Sequence, residues 1–360
     1  MSREGNDYVI VRFAALCFFL STVEFMIPKP LPFLRIGLAN MPIMLACELL
    51  PFGPFLLLVA LKAAAQGIVS GTLFSYIFLL SVGGSLASAL VMYAARAAFP
   101  RALSFVGVSV LGAFASNAAQ LALAGLVVFG EGMALAAPPV LALGLVTGTL
   151  LGFAVNRFSA RSSWLADLRS GRVPEPAAPP ADATVPVDGN SAAAGAAGGN
   201  SAVTARARVV PPVGKLALAA CLAFFLLFFE SPWIKLTAAT LAGLLLLLGG
   251  GKIKLPPVLS ASFGIVAFHL FIPFGKVLAE PFGLPITQGA LETGIKKALA
   301  VEGLIFISRW ALSGGIPLPG RAGKLISRMM AFLGYLVRSR PLIDRSNLIA
   351  SLDRVMYGRG

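Results

Sequence analysis

The sequence predicts an all-α polytopic membrane protein, with six spanning helices in a first bundle and about four in a second. Three observations carry this. Of the 360 residues, 58% are hydrophobic and only 12% charged, whereas a soluble domain is nearer a quarter charged. The apolar residues gather into runs bounded by Pro, Gly or charge, as a chain crossing a bilayer requires. The 29 Lys+Arg outnumber the 15 Asp+Glu, a formal net charge of +14, and cluster largely between the runs. An ordinary cytosolic enzyme is excluded by this composition.

The first run, about 8–27, follows a short charged N-terminus and has the outline of a signal peptide. No A-x-A-like cleavage site precedes Pro28, and the run is long enough to span, so it is read as a helix. Five more runs follow at about 36–50, 55–69, 73–95, 103–129 and 138–158. Two of these, joined by Pro51-Phe52-Gly53-Pro54, fall below the ~20 residues of a straight span and predict tilted or partly re-entrant helices. These six make a membrane domain over 1–165. Residues 166–210 form a linker whose Ala, Pro, Gly, Ser and Asn composition cannot bury enough surface to offset chain entropy.

Runs at about 213–229, 234–248, 257–274 and 287–312 predict a second membrane domain over 211–316. From 317 to 360, Arg321, Lys324, Arg328, Arg338, Arg340, Arg345, Arg354 and Arg359 alternate with large apolar residues. This pattern predicts amphipathic helices at a membrane or partner surface. With the N-terminus cytoplasmic, Arg96, Arg101, Arg157, Arg161, Arg169, Arg172 and the basic tail all fall inside, as positive-inside bias requires, and the C-terminus is cytoplasmic too. Lys29 and Arg35 then lie outside, against the bias.

Glu24, Lys29, Arg35 and Asn40 bracket a Pro-rich loop leading into a helix N-terminus. This is either a preorganised cap for an anionic or amide-bearing small molecule or a plain turn with an interfacial ion pair. Lys62 and Gln66 lie one helical turn apart in the third run, and Glu48–Lys62 is expected as a buried pair, because ionisable groups at membrane depth are costly alone. Asn117 and Gln120 share a face of the fifth run near Gly112, Ser116 and Ala119, which fits a small-residue packing seam as well as a pocket wall. Glu292 and Lys296 form an i,i+4 pair, with Glu302 and Arg309 deeper in the same run. His269 is read as a packing residue.

The single His and the isolated Cys17, Cys47 and Cys221 offer neither a metal site nor a disulfide framework, so no metal or cofactor is expected. Around Gly320-Arg-Ala-Gly-Lys324, position 318 is Leu and position 325 is Leu, which excludes a phosphate loop. Asp7, Asp167, Asp182, Asp188, Asp344 and Asp353 are scattered, so the paired aspartates that hold Mg²⁺-diphosphate are absent and no prenyl transfer is expected of this chain. Nucleic-acid binding is not expected either, because the basic residues follow membrane topology.

Residues 24–42, Gly71-Thr-Leu-Phe-Ser75, Ser81-Val-Gly-Gly-Ser85 and the stretch from Gly107 to Gln120 resemble the Gx transporter family, also labelled heptaprenyl diphosphate synthase component I. The resemblance spans about 8–165. It implies a six-helix bundle similar to the substrate-capture (S) component of energy-coupling factor transporters. In such a component Glu24, Lys29, Arg35 and Asn40 would close a pocket reached from outside, with Thr72, Ser75, Asn117 and Gln120 as wall residues. Residues 273–278, residues 285–299 and the basic tail resemble the coupling (T) component of the same transporters. That resemblance implies docking of partner ATPases through Arg338 and Arg359, the arginines of the strings nearest to the docking motifs.

The expected function is therefore a bacterial inner-membrane transporter component, not itself an enzyme. It would capture an anionic or zwitterionic solute in contact with lipid and with ATPase subunits. The alternative is an accessory membrane subunit of heptaprenyl diphosphate synthase in isoprenoid or menaquinone biosynthesis.

Overall fold

A computed structural model of the chain describes residues 3–26, 37–70, 73, 75–100, 102–172, 212–253, 255–271, 273–280, 285–312, 320–339 and 347–357. The described residues are mostly helical. In the first half the helices are α1 (Arg3–Met26), α2 (Met41–Leu49), α3 (Phe52–Ser70), α4 (Tyr76–Ala98), α5 (Phe105–Ala124), α6 (Met133–Arg161) and α7 (Ser163–Arg169). Their starts follow local chemistry. Ser75, Ser104 and Ser162 cap α4, α5 and α7 by accepting from the backbone N–H three residues on. A 3₁₀ turn, Leu38–Asn40, precedes α2 and begins at Gly37, whose φ of 84° lies in the left-handed region. Gly125–Phe129 continues α5 as a π-helical segment.

Helix α1 runs through the interior, with every residue from Val9 to Phe19 buried, Arg12 among them. Phe13 lies on the ring of Trp164 from α7, centroids 5.4 Å apart. Helices α4, α5 and α6 form an outer wall that exposes Leu90, Phe114, Val146, Leu150 and Phe153. By length and composition, Phe78–Ala98, Phe105–Phe129 and Met133–Arg161 suffice to cross a membrane, and these apolar flanks are what such helices present to lipid. Leu38–Leu49, Phe52–Gly67, Ala217–Phe228, Pro232–Leu248 and Val258–Leu270 are shorter apolar helices.

The α5–α6 contact is set by glycines at four-residue spacing. A Cβ on Gly152 would stand 2.5 Å from the Val106 Cα, and one on Gly148 2.9 Å from the Ala113 Cβ. Gly144 faces the Asn117 side chain. This small-residue stripe lets two backbones approach closely, the packing device favoured where lipid offers no hydrophobic drive between helices.

The second half holds α8 (Pro212–Phe228), α9 (Pro232–Leu248), α10 (Leu255–Leu270), an antiparallel pair β1 (Val277–Ala279) and β2 (Ile286–Thr287), and α11 (Gln288–Leu312). Helix α11 is central: α8, α9 and α10 all pack on it, with Ala219, Ala238, Ala239 and Ala242 meeting Leu304 and Ile307. The halves meet at the π segment. There Phe129 packs on Phe268 and His269 at ring separations of 4.7 and 6.0 Å, and Lys297 Nζ donates to the Val127 carbonyl at 2.9 Å.

The last helices, α12 (Gly320–Arg338) and α13 (Leu348–Tyr357), are amphipathic as the sequence predicts. The surface that takes their apolar faces is the chain's own first half. Leu325, Met329 and Leu336 of α12, with Val355 and Met356 of α13, join one buried cluster with α1, α3 and α7.

Candidate functional site

Two polar clusters in the first half stand out against apolar surroundings. The first lies where the C-terminal ends of α2, α4 and α7 converge beside Ser159 of α6. Glu48, in the last turn of α2, accepts from Arg96 Nη2 through Oε1 and from Arg169 Nη2 through Oε2, the latter at 2.6 Å. Arg96 also donates to the Leu103 carbonyl at 2.8 Å and lies over the Phe105 ring. Arg169 donates to Ser159 Oγ at 2.6 Å. The expected Glu48–Lys62 pair is thereby corrected. Glu48 ends one helix, while Lys62 lies ten residues into the next, about 15 Å along its axis at 1.5 Å per residue.

The second cluster surrounds Lys62. Its side chain is only 5% exposed, and Nζ donates to Asn40 Oδ1 at 2.7 Å. Asn40 closes the 3₁₀ turn that begins at Gly37, so a backbone that needs glycine positions the acceptor. Gln66 stands one turn further along α3. An ammonium so far from water is tolerated only where oxygen atoms replace its hydration, and such groups mark ligand or ion paths in membrane proteins.

Of the residues the sequence singles out, Glu24 lies in the last turn of α1, with its side chain outside the described set. Lys29, Arg35 and Thr72 lie outside the described residues. Asn40 meets Lys62, and Ser75 is buried as the cap of α4. Asn117 donates to the Val140 carbonyl on α6 at 3.2 Å, and Gln120 to Ser116 Oγ at 2.9 Å. Both polar groups are thus engaged within the α4–α5–α6 wall, where Gln120 also fills the space beside Gly84. Arg338 ends α12 with its side chain undescribed, and Arg359 lies outside the described residues.

A third polar cluster joins the tail to the first half. Asp353 of α13 accepts from Ser162 Oγ at 2.6 Å and from the Ser163 N–H at 2.7 Å, capping α7 from another part of the chain. Tyr357 donates to Asp167 Oδ2 at 2.5 Å, and burial followed by this bond pushes its phenol up, so it stays a donor. Arg12 lies between the Tyr8 and Phe332 rings, 4.4 and 4.5 Å from their centroids, and donates to the Met356 carbonyl. Arg321 pairs with Asp7. No spacing in the sequence marks this cluster, because Asp7, Asp167 and Asp353 lie far along the chain from the groups they meet.

Fold and clusters together define a helical membrane protein with buried polar centres inside its first half. Residues 13–158 match the family described as heptaprenyl diphosphate synthase component I, and residues 213–314 match a family described as a domain of unknown function (DUF8519). The chain is therefore similar, over its first bundle, to the component I proteins. No curated protein and no solved structure matches it.

Proposed function

We propose that the chain is a bacterial inner-membrane transporter component of the energy-coupling type, with six spanning helices in its first half and four in its second. The first half would capture a small anionic or zwitterionic solute from outside, and the second would work with partner ATPases. The observation that carries this is the buried Lys62 ammonium held on Asn40. An ammonium fixed in this way beside the Gly37–Asn40 turn is suited to an anionic group. The orientation is argued from charge: Arg96, Arg169, α12 and α13 share one end of the first bundle, which positive-inside bias assigns to the cytoplasm together with both termini. With its apolar face on α1, α12 turns Lys324 and Arg328 outward, and that basic face is the one offered to ATPases.

The match of residues 13–158 to component I supports a second reading, an accessory membrane subunit of a prenyl diphosphate synthase. The partner would then bring the aspartate-rich clusters. In both readings this chain supplies no catalytic group. The test is mass spectrometry of small molecules retained by the purified full chain, together with co-purification of co-expressed ATPases or prenyltransferase. Transport predicts a retained carboxylate-bearing solute that Lys62→Met depletes at least tenfold while the protein stays monodisperse. Retention unchanged by Lys62→Met, with a prenyltransferase co-purifying and no ATPase, removes the transport reading.

A further inference from the structure

A cleft of about 520 Å³ lies between α9, α10 and α11 in the second half, away from the Lys62 centre. Its walls are apolar side chains such as Leu244, Leu247 and Phe306, with Thr240, Ser262 and Glu302 as its polar members. The Thr240 hydroxyl is turned to the Leu236 carbonyl at 2.8 Å. Glu302 stands near the middle of the 25-residue helix α11. It is 7% exposed, and its Oε1 has no hydrogen-bond partner among the described residues.

The lysines earlier on its own helix and the lysine at the start of α9 are engaged elsewhere. Lys296 pairs with Glu292 at 2.7 Å, Lys297 donates to Val127, and Lys235 lies 3.8 Å from Glu230. Arg309 is exposed and two turns further along α11, about 10 Å by helix rise. A buried carboxylate oxygen without a partner is a costly arrangement, usually satisfied by something that enters. The same charge would repel a diphosphate, a carboxylate or any other anionic head.

We propose that this cleft binds an amphiphilic organic cation, its apolar body among Leu247, Leu244 and Phe306 and its positive head against Glu302. The inference goes beyond the solute site of the first half and does not depend on it. The unpaired carboxylate selects the charge, and the apolar walls select the body.

Tritiated tetraphenylphosphonium is the probe, measured by equilibrium dialysis on the purified full chain in neutral detergent. Tetraphenylborate, of the same shape and opposite charge, is the control. Saturable tetraphenylphosphonium binding is expected, weakened at least tenfold by Glu302→Gln, with no saturable tetraphenylborate binding. Gly243→Leu keeps the carboxylate but fills the cleft; a Cβ at Gly243 meets nothing closer than 3.6 Å, so the helix accepts it. It should weaken binding by a similar factor. The proposal falls if wild type shows no saturable binding, if Glu302→Gln or Gly243→Leu binds as wild type does, or if tetraphenylborate binds equally. The last result would make the cleft a seat for lipid tails without charge selection.

Discussion

Arg12 shows how one residue ties distant parts of the sequence together. Its guanidinium is 5% exposed, stacked between Tyr8 and Phe332 while donating to the Met356 carbonyl, so α1, α12 and α13 share a single side chain. Each stacking contact contributes about 0.5–2 kcal/mol, and a hydrogen bond from a charged donor about 1.5–3. Arg12→Leu should therefore destabilise the chain by about 3 kcal/mol and bring tryptic cleavage of α12 and α13 forward. Arg12→Lys should recover only part of this, since an ammonium cannot stack on both rings. Limited proteolysis followed over time reads both, and equal cleavage of all three proteins would refute the stated role. Hydropathy gives no hint of this residue, because two of its three partners, Phe332 and Met356, lie more than 300 positions away. Glu48 teaches the same lesson. A carboxylate near the end of one run and a lysine in the next look adjacent on paper, but pairing follows which helix ends converge, and those were Arg96 and Arg169.

At the scale of elements, the α5–α6 seam is specified by absence of side chains. Gly152→Leu places a Cβ 2.5 Å from the Val106 Cα, a contact that only backbone movement relieves. The expected result is a fall in detergent-solubilised melting temperature corresponding to about 3 kcal/mol or more, within the range of overpacking. Gly264→Ala, where nothing lies within 4 Å, should leave it unchanged or slightly raised. Matching melts for the two would show that the close approach is not limiting. Apolar runs made these helices legible, and length marked α4, α5 and α6 as able to span. The run at 138–158 was bounded by Pro138-Pro139, yet α6 begins at Met133: helix geometry persists through both prolines, which leave only the carbonyls of Leu135 and Ala134 without their usual donors. The π segment after α5 had no sequence signal, because its register depends on the Lys297 and Phe268 contacts made to it. Of the candidate site, Asn40 was legible from its place after a Gly-bearing loop, but its lysine partner was not, since no local spacing relates Asn40 to Lys62.

At the scale of the whole molecule, α12 and α13 follow the second half in sequence but pack on the first. Leu325, Met329, Leu336, Val355 and Met356 are fully buried there. At about 1.5–3 kcal/mol each, such burial contributes on the order of 10 kcal/mol before ordering costs. Covalent linkage at an effective concentration of about 1 mM, compared with free fragments at about 1 μM, is a factor of about 10³, or about 4 kcal/mol. Burial thus outweighs the tether, and the tether is not what holds tail and first bundle together. A protease site inserted near residue 190 of the full chain tests this. After complete cleavage the two fragments should still co-elute in mild detergent. Combining Arg12→Leu with Asp353→Ala removes the stacked cation and the cap on α7, and should release a large share of the C-terminal fragment. Fragments that separate without those substitutions would mean that the covalent link alone keeps α12 and α13 in place. Fragments that stay together even with them would shift the weight to the Lys297–Val127 and Phe129–Phe268 junction, where the two halves meet directly.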